Sequence, residues 1–231
     1  MTEPVPGEFA DFSARLATLR ERIAAAGGDP RRVRVVAVTK GLSCAAARAA
    51  AAGGCVDLGE NYAGELIEKA GRLRDESADA GVRWHLIGGI QRRRLAALAP
   101  HVALYETVDR VEEGVAIARH APGAAVLVEV ETTGLAGRGG VPPGEVPELV
   151  DGLVALGLDV QGLMTVAAPG DEEGARRCFA TVHSLVTDLG LSEASMGMSD
   201  DFELAVAEGS TMVRVGRALF GPRPARKAMR E

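Results

Sequence analysis

Residues 192–216, SEASMGMSDDFELAVAEGSTMVRVG, contain a short strand, a helix and a second strand in immediate succession. We predict the strands at 192–198 and 211–216, because both runs are short and largely apolar or small. The predicted helix occupies 200–208 between them. A strand, a helix and a further strand joined this closely are typical of a parallel sheet covered by helices.

The same alternation extends through the rest of the chain. VRVVAVT (33–39) is nearly all apolar and β-branched, which indicates a strand buried on both faces. Further strands are predicted at 55–59, 83–88, 103–108, 124–130 and 158–166. Helices are predicted at 8–26, 43–53, 62–78, 91–98, 109–120, 142–156, 171–189 and from 217 onward. About eight strand-helix repeats therefore fill the chain.

Repeats of this number and size favour one α/β domain over residues 1–231, a single (β/α)8 TIM barrel with an extra N-terminal helix. A doubly wound open sheet is the main alternative. The barrel is favoured because no G-x-G-x-x-G turn follows the first strand. The glycine-rich stretch 132–145 is predicted to be a long loop after the fifth strand, either a lid or a disordered segment.

Composition excludes several classes of protein. The chain has 231 residues, of which 47% are hydrophobic and 25% charged, so it can bury a substantial core. A net charge of -6 gives no overall attraction for nucleic acid or an anionic membrane. The cysteines (Cys44, Cys55 and Cys178) show no disulfide or C-x-x-C pattern, and no apolar run resembles a membrane helix or signal peptide. We therefore expect a cytoplasmic protein that binds neither nucleic acid nor membrane.

Lysine is rare in this chain. Only Lys40, Lys69 and Lys227 are lysines among the 26 basic residues, so a retained lysine can mark amine chemistry that arginine cannot perform. Lys69 and Lys227 lie in polar stretches that we predict to be exposed. Lys40 ends the first strand, where an apolar barrel mouth favours loss of its proton and attack on a carbonyl. The alternative is a lysine that extends along the rim to solvent.

Two turns near the C-terminal end of the sequence have the features of an anion site. The turns at 197–199 and 216–217 each follow a strand and open a helix, and barrels often bind phosphate after their last two strands. In a closed barrel the two helix starts would be adjacent. The alternative for the first turn is an ordinary helix cap, with Ser199 or Asp200 as the N-cap and Glu203 completing a capping box.

Two further strand residues and one basic run allow more than one interpretation. Arg214 points either outward or into the barrel, where its acceptor would be a ligand ring nitrogen or a structural carboxylate. His85 is a lone histidine in a strand, which is more often a core residue than a ligand. The four histidines have no metal-ligand spacing, so we expect no metal site. QRRR (91–94) is typical of a solvated helix start, with an anionic partner as the alternative.

Several motifs together resemble a known family. VRVVAVTK, DLGENY, WHLIGGIQ, GLMTVA, SMGMSDDFELAVAEGSTMVRVG and ALFGPR closely resemble the YggS/PROSC family, the pyridoxal phosphate homeostasis proteins, and extend over 33–223. The resemblance implies a barrel of the alanine racemase N-terminal type that binds pyridoxal 5′-phosphate (PLP) through a Schiff base to Lys40. It also implies a role in vitamin B6 balance without established catalytic turnover.

The resemblance also implies which residues bind the cofactor. Arg214 would face the pyridine nitrogen, and Ser199 would hold the phosphate together with backbone N–H groups of both turns. Asn61 and His85 would line the pocket. The implied PLP-binding residues are Lys40, Asn61, His85, Met198, Ser199, Arg214, Gly216 and Arg217. No catalytic residue and no metal ligand are implied.

Some positions depart from the usual sequence of the family. The segment after Lys40 lacks a common proline, and QRRR replaces Q-x-N-K. ETVD (106–109) replaces HSVD, and Arg138 stands where a lysine is common. These changes leave the implied cofactor shell intact and put in question any role of the altered surface and loop positions, including partner contacts.

The resemblance favours a monomeric PLP carrier, with PLP-dependent apoenzymes as candidate partners. An arginine at the pyridine nitrogen disfavours protonation there and weakens the ring as an electron sink. One alternative is a PLP-dependent racemase-like enzyme, although Tyr62 and Tyr105, the only tyrosines, match no racemase motif. Another is a cofactor-free aldolase in which Lys40 attacks a sugar-phosphate carbonyl.

Overall fold

The computed structural model describes residues 8–76 and 81–222, and its parallel strands close into a barrel. The strands are β1 (Arg34–Val38), β2 (Asp57–Glu60), β3 (Arg83–Leu86), β4 (Val102–Val108), β5 (Ala125–Glu129), β6 (Asp159–Met164), β7 (Glu193–Ser195) and β8 (Met212–Val215). Each strand pairs with its neighbours in sequence, and β8 pairs with β1. The predicted (β/α)8 barrel is confirmed, and the open-sheet alternative is wrong.

Helices surround the barrel. They are α1 (Phe12–Ala25), α2 (Cys44–Ala52), α3 (Ala63–Asp75), α4 (Leu95–Leu98), α5 (Val111–His120), α6 (Val146–Ala155), α7 (Glu172–Asp188), α8 (Phe202–Ala207) and α9 (Arg217–Phe220). The extra N-terminal helix packs against α8 and α9. The helix predicted at 62–78 ends at Asp75, and its last predicted residues lie outside the described part, as does Lys227. Within the described ranges, none of the helices combines the length and apolar character that a bilayer span requires.

The apolar core has an inner and an outer part, because successive strand residues point to opposite faces. The inner cluster consists of Val36, Leu104, Leu127, Met164 and Met212. The larger outer cluster fills the space between the strands and the helices. Glu106 follows Leu104 by two positions, and Arg214 follows Met212 by two. Both charged side chains therefore point into the barrel.

The glycine-rich loop at 132–145 is ordered against the barrel mouth. The carboxylate of Glu131 accepts hydrogen bonds from the backbone N–H and hydroxyl of Thr133. Arg138 donates to the carbonyl oxygens of Val166 and Ala167, at 3.4 and 3.1 Å. The two bonds of Arg138 attach the loop to the segment that follows β6.

Gly162 lets β6 approach β7 closely. A Cβ atom at this position would lie 1.9 Å from the carbonyl oxygen of Glu193, a backbone atom that cannot turn away. We expect Gly162→Ala to lower the free energy of unfolding by about 3 kcal/mol, the upper part of the overpacking range. The matched control is Gly71→Ala in α3, where a Cβ atom would meet nothing within 4 Å and alanine favours the helix. Equal stability of the two variants in urea unfolding would contradict this strand packing.

Candidate functional site

An open cavity of about 1150 Å³ lies at the rim formed by the C-terminal ends of the strands. This is the end of a (β/α)8 barrel at which active sites occur. Its lining includes Lys40, Met198, Ser199, Arg214, Gly216 and Arg217. The structure therefore brings most of the sequence-predicted site residues to one cavity. A cavity of this size accommodates a small organic ligand.

Lys40 lies in this cavity directly after β1. Its ammonium group donates a hydrogen bond to Oδ1 of Asn61 at 3.2 Å. Asn61 follows β2, and the parallel pairing of β1 with β2 places the two residues side by side. Asn61 thus belongs to the site through its contact with the lysine amine, and it is not among the residues that line the cavity.

A buried ion pair supports the strand ends that carry Lys40 and Asn61. Lys69 from α3 donates to Glu60 Oε1 at 2.6 Å and to the carbonyl oxygen of Thr39 at 2.8 Å. The hydroxyl of Thr39 donates to the same oxygen of Glu60 at 2.6 Å. Thr39 precedes Lys40 and Glu60 precedes Asn61, so these bonds tie the two strand ends together. The prediction of an exposed Lys69 is wrong, because its side chain is only 6% exposed.

The two turns predicted to bind an anion lie side by side on the cavity wall. The hydroxyl of Ser199 accepts a hydrogen bond from the N–H of Ala218 at 3.3 Å, which joins the turn after β7 to α9. Asp200 forms an ion pair with Arg217. Gly216 is the N-cap of α9, and the first N–H groups of a helix have no partner within it. Donors from both turns therefore lie near the same part of the cavity.

The helix after the first turn begins later than predicted. Its N-cap is Asp201, so the expectation that Ser199 or Asp200 caps it is wrong. Glu203 forms an ion pair with an arginine of α1 instead of completing a capping box. The carboxylate of Asp201 accepts the N–H of Met198 at 2.6 Å, and burial raises the pKa of Asp201. A ligand oxygen that takes this N–H must therefore displace the carboxylate.

Arg214 points into the barrel and lines the cavity. Its Nη1 donates to the carbonyl oxygen and to the hydroxyl of Ser195, both at 2.7 Å. Its Nη2 donates to the carbonyl oxygen of Thr165 at 2.7 Å. A carboxylate oxygen, Oε2 of Glu106, lies 3.9 Å from Nη1. The guanidinium is thus held by neutral oxygens, with a structural carboxylate nearby, and it still borders the cavity.

His85 lies inside the barrel and is not among the residues that line the cavity. Its Nδ1 is 2.6 Å from Glu106 and its Nε2 is 3.1 Å from Asp57. Donation from both ring nitrogens to the two carboxylates favours the imidazolium form of the ring. Burial lowers the pKa of His85, but hydrogen bonds to the two carboxylates outweigh burial and raise it overall. The structure therefore gives His85 the surroundings of a satisfied core residue.

The histidine network makes stability depend on pH. Because the pKa of His85 is raised on folding, its stabilising effect is complete below its unfolded pKa of about 6.5 and is lost as the pH rises through the folded value. Asp57 makes stability depend on pH in the acidic range. Burial opposes its ionisation, yet bonds from His85 and Arg83 lower its pKa to about 2, so its stabilising effect is lost as the pH falls toward that value.

We expect the Tm of the wild-type protein to fall relative to that of His85→Gln, which lacks the titrating ring, as the pH rises above about 6.5. Differential scanning calorimetry of both proteins in matched buffers measures this difference. The same pH dependence in both proteins would show that His85 does not change its protonation in this range.

The charged residues outside the implied set that line the cavity include Glu129 and Arg138. Glu129 ends β5 and follows the inward-facing Leu127 by two positions. Burial raises the pKa of Glu129, and the nearby Asp109 adds to this effect. The signal for Glu129 was available in the sequence, because it is the charged residue at the C-terminal end of an apolar strand. Arg138 could not be placed from sequence, because it lies in the long loop.

Comparison with known proteins agrees with this geometry. The family model for the alanine racemase N-terminal domain matches residues 11–224. The chain is 39% identical over 215 residues to the pyridoxal phosphate homeostasis protein of Pseudomonas aeruginosa, covering 90% of this chain and 92% of that protein. It is 41% identical over 212 residues to that of Deinococcus radiodurans, covering 90% and 98%. The chain belongs to the YggS/PROSC family.

The YggS/PROSC assignment extends to three-dimensional structure. The barrel is similar to the structure of PipY from Synechococcus elongatus with PLP bound, with a TM-score of 0.79 and 30% sequence identity. The match covers 91% of this chain and 100% of PipY. The resemblance inferred from the motifs is confirmed.

Proposed function

We propose that this protein binds PLP covalently through Lys40 and acts in intracellular PLP homeostasis as a carrier or reservoir rather than as an enzyme. One observation carries the proposal: a single cavity presents the amine of Lys40, the guanidinium of Arg214 and the turns at 198–199 and 216–217. Relatives that match 90% of the chain are named for PLP homeostasis, and the structure of PipY has been solved with PLP bound.

The residues present fit the functional groups of PLP. When bound, PLP supplies an aldehyde carbon that a primary amine attacks with loss of water. Lys40 provides the amine, and Asn61 holds it in place through the 3.2 Å hydrogen bond. Ser199 and the backbone N–H groups of the two turns would hold the phosphate. Arg214 would hold the ring nitrogen, which fits its position at the cavity.

The charged state of Arg214 fits a limited reaction repertoire, either racemisation or holding of PLP without turnover. A guanidinium keeps its proton, so it cannot readily protonate a ring nitrogen, and an unprotonated ring is a poor electron sink. The two tyrosines also lie away from the cavity lining. Tyr105 is buried in the outer core and Tyr62 is 44% exposed.

Titration of the purified protein with PLP tests the proposal. We expect a visible absorption band that grows with PLP, and no consumption of amino acids added afterwards. Steady racemisation or decarboxylation at an enzyme-like rate would overturn the carrier function and favour the racemase-like alternative. A colourless protein that cleaves sugar phosphates would favour the aldolase.

We place this function in the cytoplasm, which is supported by the free thiols of Cys44, Cys55 and Cys178. We also propose that residues 1–231 form one domain that acts as a monomer and passes PLP to apoenzymes. Sedimentation of the PLP-loaded protein measures its oligomeric state. Incubation of the PLP-loaded protein with an apoenzyme measures the transfer of PLP. Faster activation of the apoenzyme than free PLP gives at the same concentration is the expected result.

A further inference from the structure

Glu106 is a carboxylate buried inside the barrel, and PLP binding as described so far assigns it no role. Its relative exposure is 0%, and it shares the inward face of β4 with Leu104. It stands in the motif ETVD (106–109), at the C-terminal end of β4. Because a charge in such surroundings is costly unless its partners compensate for it, the partners of Glu106 show what it does.

The two oxygens of Glu106 bind opposite sides of the barrel interior. Oε1 is 2.6 Å from Nδ1 of His85, and Oε2 accepts a hydrogen bond from the hydroxyl of Ser195 at 2.6 Å. An ionised carboxylate only accepts hydrogen bonds, so Ser195 must direct its single proton at Glu106. The lone pairs of that hydroxyl are then available to Arg214, whose Nη1 lies 2.7 Å away.

This arrangement fixes the orientation of Arg214. Two of its acceptors are carbonyl oxygens at the ends of β6 and β7, and the surrounding strands hold them in place. The third acceptor is the Ser195 hydroxyl oxygen. It can accept from Arg214 because the hydroxyl donates its single hydrogen bond to Glu106. We propose that Glu106 is a positioning residue that acts through Ser195 to fix the guanidinium of Arg214 at the cavity. The proposal rests on the function proposed above only where PLP affinity is the measurement.

A double-mutant cycle separates positioning from a general effect of charge. Glu106→Met removes the acceptor at similar length. Glu106→Gln keeps an oxygen for Ser195 and offers its amide to a neutral His85. Arg214→Met removes the group that is positioned. Glu193→Gln is the matched control, because Glu193 pairs with Arg34 and Thr211 near the start of β7, away from the cavity lining.

Two measurements apply to each variant. Hydrogen exchange at Nε of Arg214, followed by NMR without ligand, reports the order of the side chain. Equilibrium titration reports the Kd for PLP. We expect Glu106→Met to speed the exchange and to raise the Kd about three- to tenfold, since binding must then order one long side chain. Glu106→Gln and Glu193→Gln should stay near wild type, and Glu106→Met should have no further effect on the Kd in an Arg214→Met background.

Other results would overturn the proposal. An equal effect of Glu106→Met on the Kd with and without Arg214 would show that it does not act through Arg214. Tighter PLP binding in both Glu106 variants would show that only the negative charge matters. If Glu106→Met fails to fold, Ser195→Ala interrupts the same path, and unchanged Arg214 exchange in it refutes the proposal. Failure of the wild-type protein to bind PLP would refute the proposed function alone, because the exchange measurement needs no ligand.

Discussion

Lys40→Ala is expected to abolish the Schiff-base absorption band of the PLP-loaded protein and to raise the Kd for PLP on the order of 100-fold, or about 2.7 kcal/mol. Lys40 is the only lysine that lines the cavity within the described residues. Without its amine, PLP keeps its phosphate and ring contacts but loses the covalent bond. The fold should survive, because Lys40 is only partly buried and ends no helix or strand of the core.

Lys40→Arg is the matched control for charge. Arginine retains the positive charge beside Asn61 but does not condense with an aldehyde at neutral pH, so we expect Lys40→Arg to lack the Schiff-base band as well. Titration of the three proteins at equal concentration, with circular dichroism to check folding, provides the comparison. A wild-type spectrum in either variant would assign the covalent bond to another residue.

Lys69→Met is expected to give the largest loss of stability, about 3–5 kcal/mol, because it leaves the buried carboxylate of Glu60 without its cation. Glu60 is 0% exposed, and burial already raises its pKa against the pull of Lys69. The carbonyl oxygen of Thr39 also loses its 2.8 Å hydrogen bond. Guanidinium unfolding at neutral pH measures the change in the free energy of unfolding.

The double variant Lys69→Met/Glu60→Gln tests the cause of that loss. Removing both charges avoids the unpaired carboxylate, so the double variant should regain a large part of the stability. Lys69→Arg should be less stable than the wild-type protein although it keeps the positive charge, because a planar guanidinium does not fit a site shaped for a compact ammonium group. A loss below about 0.5 kcal/mol in Lys69→Met, the usual range for surface changes, would contradict the buried ion pair.

The barrel could be predicted from sequence because each element carries its own local signal. The strand at 33–39 and its counterparts are short apolar runs, and the helices between them have helical spacing. In a closed barrel the C-terminal ends of all strands meet at one rim, so the residues after β1, β7 and β8 could be expected together. Their common position in one cavity agrees with that reasoning.

Lys69 was misplaced because the sequence around it, EKAGRLRDES, is strongly polar. Helical spacing contained the missing signal. Leu66, Ala70 and Leu73 mark the buried face of α3, and Lys69 lies beside Ala70 on that face. Polarity alone could not reveal its burial, which depends on the carboxylate that β2 places opposite the helix.

Other parts of the site depend on three-dimensional geometry that cannot be read from the amino-acid sequence. The start of α8 could not be fixed because Ser199, Asp200 and Asp201 are all good N-cap residues in a row. The acceptors of Arg214 include backbone carbonyl oxygens, which every residue possesses. His85 matched a family motif, but the motif could not show that both of its ring nitrogens contact carboxylates. Nor could it show that His85 is not among the residues that line the cavity.

Borohydride reduction of the PLP-loaded protein, followed by peptide mapping, tests the central claim most directly. Reduction converts a lysine–PLP bond into a stable secondary amine that survives proteolysis and can be located by mass spectrometry. The account predicts one modified residue, Lys40, and no modification of Lys69, whose ammonium is buried against Glu60. A label on Lys69 or Lys227 in place of Lys40, or no label after saturation with PLP, would contradict it.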